Sequence, residues 1–416
     1  MNGVFAIEKP SGFTTQQIIT KLNHALINNS SQVRSDLLRQ KDEFEKEFKA
    51  NNKGNPPKPK TLKKFSKLKM GQGGTLDPMA SGILVIGIQE GTKKLQKYLN
   101  NSIKTYEFRG VLGMDTMSGD NQENYQSNLS INSYEHLLNL TVEEKKALEE
   151  KILKSFKTGI LKQIPPVYSA VRIGGKRLYE YIRKGEDVPQ DGIEPRLVEL
   201  MDIHFYEDNL QEINQEELTE EEYNKMRDDI EETMRDEAQI GNKRKFDEVE
   251  KQKNSGARLG KHGEILITDE AFNVVKDYKN QIKCYTHEHE DGLIHDDKDL
   301  NKITDINNEF YQKMKMKQVP LVQLHMKVTV SSGFYIRSII RDICKLLKTS
   351  GYMTSLKRTS QKQWDMEKGA YFKLEDFEKI DESVWYELLT DVLKDEDKGC
   401  EFNVREILDK SHSPKE

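Results

Sequence analysis

Residues 70–88 read MGQGGTLDPMASGILVIGI, a glycine-rich loop built around one carboxylate, Asp77, that runs straight into an apolar strand. Four glycines and a proline lie between Met70 and Gly82. Such residues set backbone shape and leave little side chain with which to fill a core. The run Ile83–Ile88 has the length and branching of a buried strand. Asp before Pro is a turn former in its own right. The stretch therefore admits two readings, a structural turn or a rigid mount for a working acid.

Working outward from the loop, residues 3–8 form a short apolar strand closed by Lys9-Pro10-Ser11-Gly12. Thr14 and Gln17 make a capping-box pattern ahead of Ile18, Ile19, Leu22, Ala25 and Leu26, which recur at helical spacing. Residues 28–69 turn polar and then basic. KPKTLKKFSKLK places six lysines between Lys58 and Lys69 and reads as a flexible basic arm inserted ahead of the loop. Residues 83–205 mix strands and helices with ordinary turns.

The character changes over 206–316, which reads as a polar insertion. EELTEEEYNKMRDDIEETMRDE is an acidic helical pattern with Thr219 and Glu222 as its capping pair. GNKRKFDEVEKQKNSGARLGKHGE has too few large apolar residues to build a core. The core pattern resumes at VQLHMKVTV, where Val322, Leu324, Met326, Val328 and Val330 alternate with polar residues as in a half-buried strand. Ile336, Ile339, Ile340, Ile343, Leu346 and Leu347 then share one helical face, and Arg337, Arg341, Lys345 and Lys348 form a basic stripe on the other. Residues 381–416 read as a helical, polar tail.

Composition bounds the function. The chain has 416 residues, 35% hydrophobic and 32% charged, so one sizeable core must carry polar additions. A net charge of −5 argues against a uniformly basic nucleic-acid binder, although basic and acidic residues occupy different segments. Three cysteines without paired spacing fit a reducing compartment. No apolar stretch approaches the roughly 18 residues of a membrane span, and the N-terminus carries no presequence pattern. The expectation is a soluble intracellular protein of the nucleus, mitochondrion and cytoplasm, with Asn242–Phe246 (NKRKF) as a basic import cluster. Cys284, His287, His289 and His295 crowd together but match no standard zinc spacing, so no metal is expected. GIQEGTKK at 87–94 has the wrong spacing for a Walker phosphate loop.

GGTLDPMASGILVIGIQEGTKKLQKYL (73–99) resembles the signature of the TruB-type pseudouridine synthases. Four more stretches resemble that family in the same order: GVFAIEKPSGFTT (3–15), KTYEFRGVLGMDTMSGD (104–120), QIPPVYSAVRIGGKRLYEYIRKG (163–185) and SSGFYIRSIIRDI (331–343). The basic arm looks most like the fungal branch. The resemblance implies an α/β (α+β) fold with a mixed, mainly antiparallel central sheet flanked by helices. It implies a catalytic domain over 1–205 and 317–380. It also implies that a monomer isomerises the T-loop uridine (position 55) of tRNA, or of RNAs with a similar hairpin. That reaction breaks the N1–C1′ bond, rotates the uracil and rejoins it through C5. It is redox-neutral and calls for no cofactor.

By the same resemblance Asp77 is the catalytic carboxylate and Arg337 its partner, since an acid buried beneath a nucleotide needs a nearby cation to stay ionised. Tyr106 stacks on the extruded base, and Tyr335 and Leu356 line the uracil pocket. Gln72 stands where many relatives place a histidine that supports the flipped-out loop, and it is expected to engage RNA differently. Lys63, Lys64, Lys67, Lys69 and Arg341 are expected on the RNA backbone. The rival readings are a guide-RNA-dependent synthase subunit and an RNA-folding protein.

Overall fold

The computed structural model describes residues 1–100, 102–116, 118–121, 128–156, 159–166, 168–184, 186, 193–216, 219, 260–262, 264–265 and 309–411. The fold is mixed α/β, with mainly antiparallel sheet flanked by helices, as expected. In chain order the strands are β1 (Gly3–Lys9), β2 (Met70–Gln72), β3 (Ser81–Ile88), β4 (Lys104–Leu112), β5 (Met114–Thr116), β6 (Asn128–Ile131), β7 (Gly159–Gln163), β8 (Arg172–Ile173), β9 (Lys176–Arg177), β10 (Arg196–Phe205), β11 (Glu212–Ile213), β12 (Leu321–Val330), β13 (Gly351–Gln361) and β14 (Trp364–Asp365). Two compact units divide the chain. One comprises Met1–Lys104 with Lys357–Glu416, the other Thr105–Leu356.

In the first unit, β1 and β3 pair antiparallel from Gly3↔Ile88 to Lys9↔Gly82. Val4 to Ile7 and Ile83 to Ile86 are fully buried, so these strands read as continuous apolar runs because both of their faces are covered. β2 joins the far end of β3 antiparallel, and the last part of β13 joins its start in parallel, Lys357↔Ser81 and Arg358↔Gly82. Position 82 needs glycine, because its φ is +98° and a Cβ there would lie 2.3 Å from the Arg358 carbonyl oxygen. Helix α1 (Thr15–Asn28) begins at the capping box read from the sequence, with the Gln17 amide donating to Thr14 Oγ1 and the Thr14 amide to Gln17 Oε1.

The flexible arm expected over 28–69 is instead largely helical. Helix α2 spans Ser31–Asn51, and a short helix at Pro59–Leu62 and a 3₁₀ turn at Lys63–Ser66 follow it. Its N-terminus is held from far away in sequence. Ser30 Oγ accepts from the Val33 amide, and the Glu382 carboxylate accepts from Ser30 Oγ at 2.5 Å, the Ser31 amide at 3.0 Å and the Gln32 amide at 3.1 Å. A carboxylate on exposed helix-terminal N–H groups satisfies donors that have no partner within the helix. The Ser30 hydroxyl, with help from the Ser31 and Gln32 amides, holds the Glu382 carboxyl down at about 2 against the opposing effect of burial. A carboxyl depressed in this way adds stability above its ordinary value of 4.5 and loses it as pH falls from there through about 2. Glu382→Gln should therefore cost about 0.5–1 kcal/mol at neutral pH. Thermal melts of variant and wild type should converge between pH 4.5 and 2.

In the second unit, β10 pairs antiparallel with β12 on one side and β7 on the other, and β4 lies beside β12. The helix Ile336–Leu346 buries Ile336, Ile339, Ile340, Ile343 and Leu346, as its spacing predicts. The basic stripe expected opposite them is corrected. Arg337 is 6% exposed. Arg341 Nε donates to Asp115 Oδ1 at 2.9 Å and its Nη2 to the Thr116 carbonyl, so its guanidinium is spent on an internal ion pair rather than offered to RNA phosphate. The half-buried reading of β12 is corrected as well. Gln323 and His325, on its supposedly wet face, are buried. His325 Nδ1 meets Asp208 at 2.5 Å and its Nε2 meets Glu107 at 3.0 Å, while its ring stacks on Tyr206 at 3.9 Å. Arg109 bonds both Asp208 and Gln323, so a polar network takes the place of water on that face.

No helix of the described residues is long and apolar enough to cross a membrane. The acidic run over 220–237, the Asn242–Phe246 cluster and Cys284, His287, His289 and His295 lie outside the described residues.

Candidate active site

The Asp77 loop hangs between β2 and β3, and nearly all of its backbone is tied down. The Gly73 carbonyl accepts from Gln361 Nε2 at 2.7 Å and the Gly74 carbonyl from Arg358 Nη2 at 3.0 Å. Thr15 Oγ1 both donates to the Leu76 carbonyl and accepts from the Leu76 amide, each at 3.1 Å. Ser11 Oγ donates to the Met79 carbonyl at 2.7 Å, and the Asp77 carbonyl accepts from the Ala80 amide at 3.0 Å. The Lys9 ammonium donates to the carbonyls of Pro10 at 2.9 Å, Pro78 at 3.1 Å and Ala80 at 2.5 Å. These partners come from β1, the turn after it, α1 and β13, so the loop's shape is set from well outside its own glycines. Asp77 itself is half-buried at the tip.

Gln72 closes the turn from within. Its Oε1 accepts from the Gly74 amide at 2.5 Å and its Nε2 donates to Thr75 Oγ1 at 3.0 Å. The amide expected to face RNA is engaged with the loop's own backbone and hydroxyl.

Three buried cations crowd this loop, and the sequence reading assigned a role to none of them. Lys9 and Arg358 have no exposed surface, and Lys104 is 7% exposed. Arg358 Nε also donates to the Ile83 carbonyl at 2.7 Å, which stitches the loop to β3. Burial pushes Lys9 down from 10.5 to about 7; the Asp77 charge opposes that and the Arg358 charge adds to it. Burial, with Arg358, lowers Lys104 to about 8. A buried lysine with a depressed value facing a carboxylate, as Lys9 faces Asp77, is a candidate functional group. The available signal was Lys9 closing a strand whose run Val4–Ile7 is continuously apolar.

The other predicted residues lie on the second unit. Tyr106 on β4 is 8% exposed and Leu356 at the end of that unit is 7% exposed. Tyr335 caps the helix Ile336–Leu346, and Gln163 fixes its backbone from both sides: Gln163 Oε1 accepts from the Tyr335 amide at 2.7 Å, and its Nε2 donates to the Tyr335 carbonyl at 3.0 Å. Arg337 donates to the carbonyls of Ser118 and Tyr168, each at 2.8 Å, and lies 3.5 Å from Asp120 Oδ2. Asp120 is thus a carboxylate partner that the sequence reading missed. Gly119, at φ +76°, brings its backbone beneath Arg337 and Arg341, where a Cβ would lie 3.5 Å from each.

The expected phosphate-binding lysines are on the first unit. Lys63, Lys67 and Lys69 are exposed. Lys64 is exposed too, but its ammonium lies 3.8 Å from the centre of the Phe44 ring and 4.9 Å from that of Phe65.

A glycine-mounted aspartate braced by buried cations, on a mainly antiparallel α/β fold, sets the class to look for. Residues 61–222 match the model of the TruB family pseudouridylate synthase N-terminal domain. The chain is 36% identical over 419 residues to tRNA pseudouridine synthase 4 of Saccharomyces cerevisiae, covering 99% of this chain and 89% of that one. It is 27% identical over 419 residues to tRNA pseudouridine synthase 4 of Schizosaccharomyces pombe, covering 96% of this chain and 87% of that one. Over 188 residues it is 33% identical to human pseudouridylate synthase TRUB1, covering 45% of this chain and 44% of that one. The chain belongs to the TruB family of pseudouridine synthases.

Proposed function

We propose that this protein is a tRNA pseudouridine synthase that converts the T-loop uridine at position 55 to pseudouridine without a guide RNA. The observation that carries the reading is the Asp77 loop. Its carbonyls are held by Lys9, Arg358 and Gln361, and Asp77 sits half-buried at its tip. Preorganisation of that kind suits a group that must act as nucleophile or base on an extruded nucleotide. Near-full-length likeness to two fungal enzymes named for tRNA supports the substrate class.

In this reading the uridine leaves its stack at a cost of a few kcal/mol. Asp77 then promotes cleavage of the N1–C1′ bond, the uracil turns, C5 bonds to C1′, and C5 gives up its proton while N1 takes one up, so the product is an isomer of the substrate. Tyr106 stacks on the base, and Tyr335 and Leu356 shape the uracil pocket. Lys63, Lys67 and Lys69 contact phosphates. The protein acts as a monomer on the T-arm, in the nucleus, mitochondrion and cytoplasm. The test is to incubate purified protein alone with an unmodified tRNA transcript and map pseudouridine at single-nucleotide resolution. Product at the T-loop uridine is the expected result. A strict requirement for added guide RNA, or RNA binding with no product, overturns it.

A further inference from the structure

We propose that α2 and the turn after it form a rigid mount that holds Lys60, Lys63, Lys67 and Lys69 as a track for an RNA phosphodiester backbone, leading into the Asp77 loop. The inference rests on the RNA-directed reading above and gives α2 a purpose that reading does not supply.

Charge is partitioned sharply along this part of the chain. Helix α2, Ser31–Asn51, carries five basic and five acidic residues. Its neutrality suits a strut better than a nucleic-acid contact. The next stretch, Lys58–Lys69, carries six lysines and no acid. All six are exposed, and among the described residues none is ion-paired with a carboxylate. Six like charges within twelve residues, of which Lys69 also feels the Glu90 carboxylate, repel one another, a cost that a polyanion would relieve.

The segment is also pinned at both ends. At one end α2 is anchored by Glu382 through Ser30, Ser31 and Gln32. Phe44, two-thirds of the way along α2, packs on Phe48 at 5.8 Å and on Phe65 of the 3₁₀ turn at 5.3 Å. Lys64 sits over both Phe44 and Phe65 and locks the turn to the strut. At the other end Leu68 is 5% exposed, with its carbonyl accepting from Asn23 Nδ2 at 2.7 Å and its amide donating to Asn23 Oδ1 at 3.3 Å. The Lys69 carbonyl accepts from the Gln89 amide at 2.8 Å. Pro56, Pro57 and Pro59 stiffen the connection from α2. Lysines presented this way lose less conformational entropy on binding than lysines on a free linker.

Lys64 is thereby reassigned from phosphate contact to pin. The partner's chemistry follows from what remains. Point-charge ammonium groups suit phosphate oxygens, contacts that set register and orientation rather than read sequence. The Phe44 and Phe65 rings pack on each other and carry Lys64.

The test is the salt dependence of affinity for an unmodified tRNA transcript, with three proteins compared. In Lys63→Gln/Lys67→Gln/Lys69→Gln the slope of log K against log salt should fall by about 2–3, and Kd at about 0.1 M salt should rise roughly tenfold or more. In Phe44→Ala/Phe65→Ala, which keeps every lysine, the slope should fall by about 1 and KM should rise more than kcat falls. A circular-dichroism spectrum should show that α2 is retained. An unchanged slope in the lysine variant makes the segment a connector and overturns the proposal. Wild-type affinity in the phenylalanine variant shows lysines that bind without a mount, and overturns it too. Polyglutamate binding with the affinity of RNA would assign the surface to an acidic protein instead. If the wild type binds RNA with the expected slope yet makes no pseudouridine, the catalytic reading fails while this one stands.

Discussion

Asp77→Asn should abolish pseudouridine formation while leaving RNA affinity within a few-fold of wild type. Asparagine keeps the size and much of the hydrogen bonding of aspartate but removes its charge, its basicity and its nucleophilicity. The loop around it should survive, because its carbonyls are held by Lys9, Arg358, Gln361, Ser11 and Thr15. The loss should reach roughly 10²–10⁴-fold or more, the scale on which a positioned acid–base or covalent group contributes. Single-turnover product formation at saturating RNA separates this from a binding defect. A second readout is independent of turnover. The Asp77 charge supports the protonated form of Lys9, so the Lys9 ammonium should titrate at lower pH in the variant. Turnover within tenfold of wild type would remove Asp77 from the chemistry.

The parts of this molecule that could be read from the sequence are those whose signals are local. The capping box at Thr14 and Gln17, the apolar run Ile83–Ile88 and the isoleucine face of Ile336–Leu346 each declare themselves within a few residues. Helix α2 did not, for a physical reason. It buries only Val33 and Leu37 along its length, so its apolar periodicity is weak, and its N-terminus is secured by Glu382, some 350 residues away. A charged helix of that kind is indistinguishable from a linker until its tertiary partners are seen.

The same blindness hid the cations under the Asp77 loop. Lysine and arginine are ordinarily read as surface residues. Lys9 and Arg358 are buried because loop carbonyls, not water, take up their donors, and Lys104 is buried beside them. On β12 the alternation of apolar and polar residues suggested one wet face. His325 and Gln323 point there but meet Asp208, Glu107 and Arg109 instead of solvent. In each case the residue type was legible and its environment was not, since that environment is assembled from segments far apart in the chain.

Lys9→Met should separate the stability of the loop from its electrostatics. An unfolded chain holds this lysine protonated up to its ordinary 10.5, while burial lets the folded protein hold it only up to about 7. Between those values the unfolded state binds the extra proton, so wild-type stability rises with pH across that window, by up to about 1.4 kcal/mol per pH unit from this group alone. Below about 7 the penalty for burying the charge is present in full. Methionine fills similar volume and carries no proton, so the variant should lack this rise. Its stability relative to wild type should be most favourable near pH 7 and should worsen steadily toward pH 10. Activity should move the other way from any gain in stability. The variant loses the donors to Pro10, Pro78 and Ala80 and the positive charge facing Asp77. A loop displaced by even about 1 Å can cost 10²-fold in rate, so kcat should fall on that scale. Denaturant melts from pH 6 to 10, paired with single-turnover rates at pH 7, test both halves. Parallel stability curves for the two proteins would mean that Lys9 does not titrate within the fold. An unaltered rate would mean that the loop holds Asp77 in place without it.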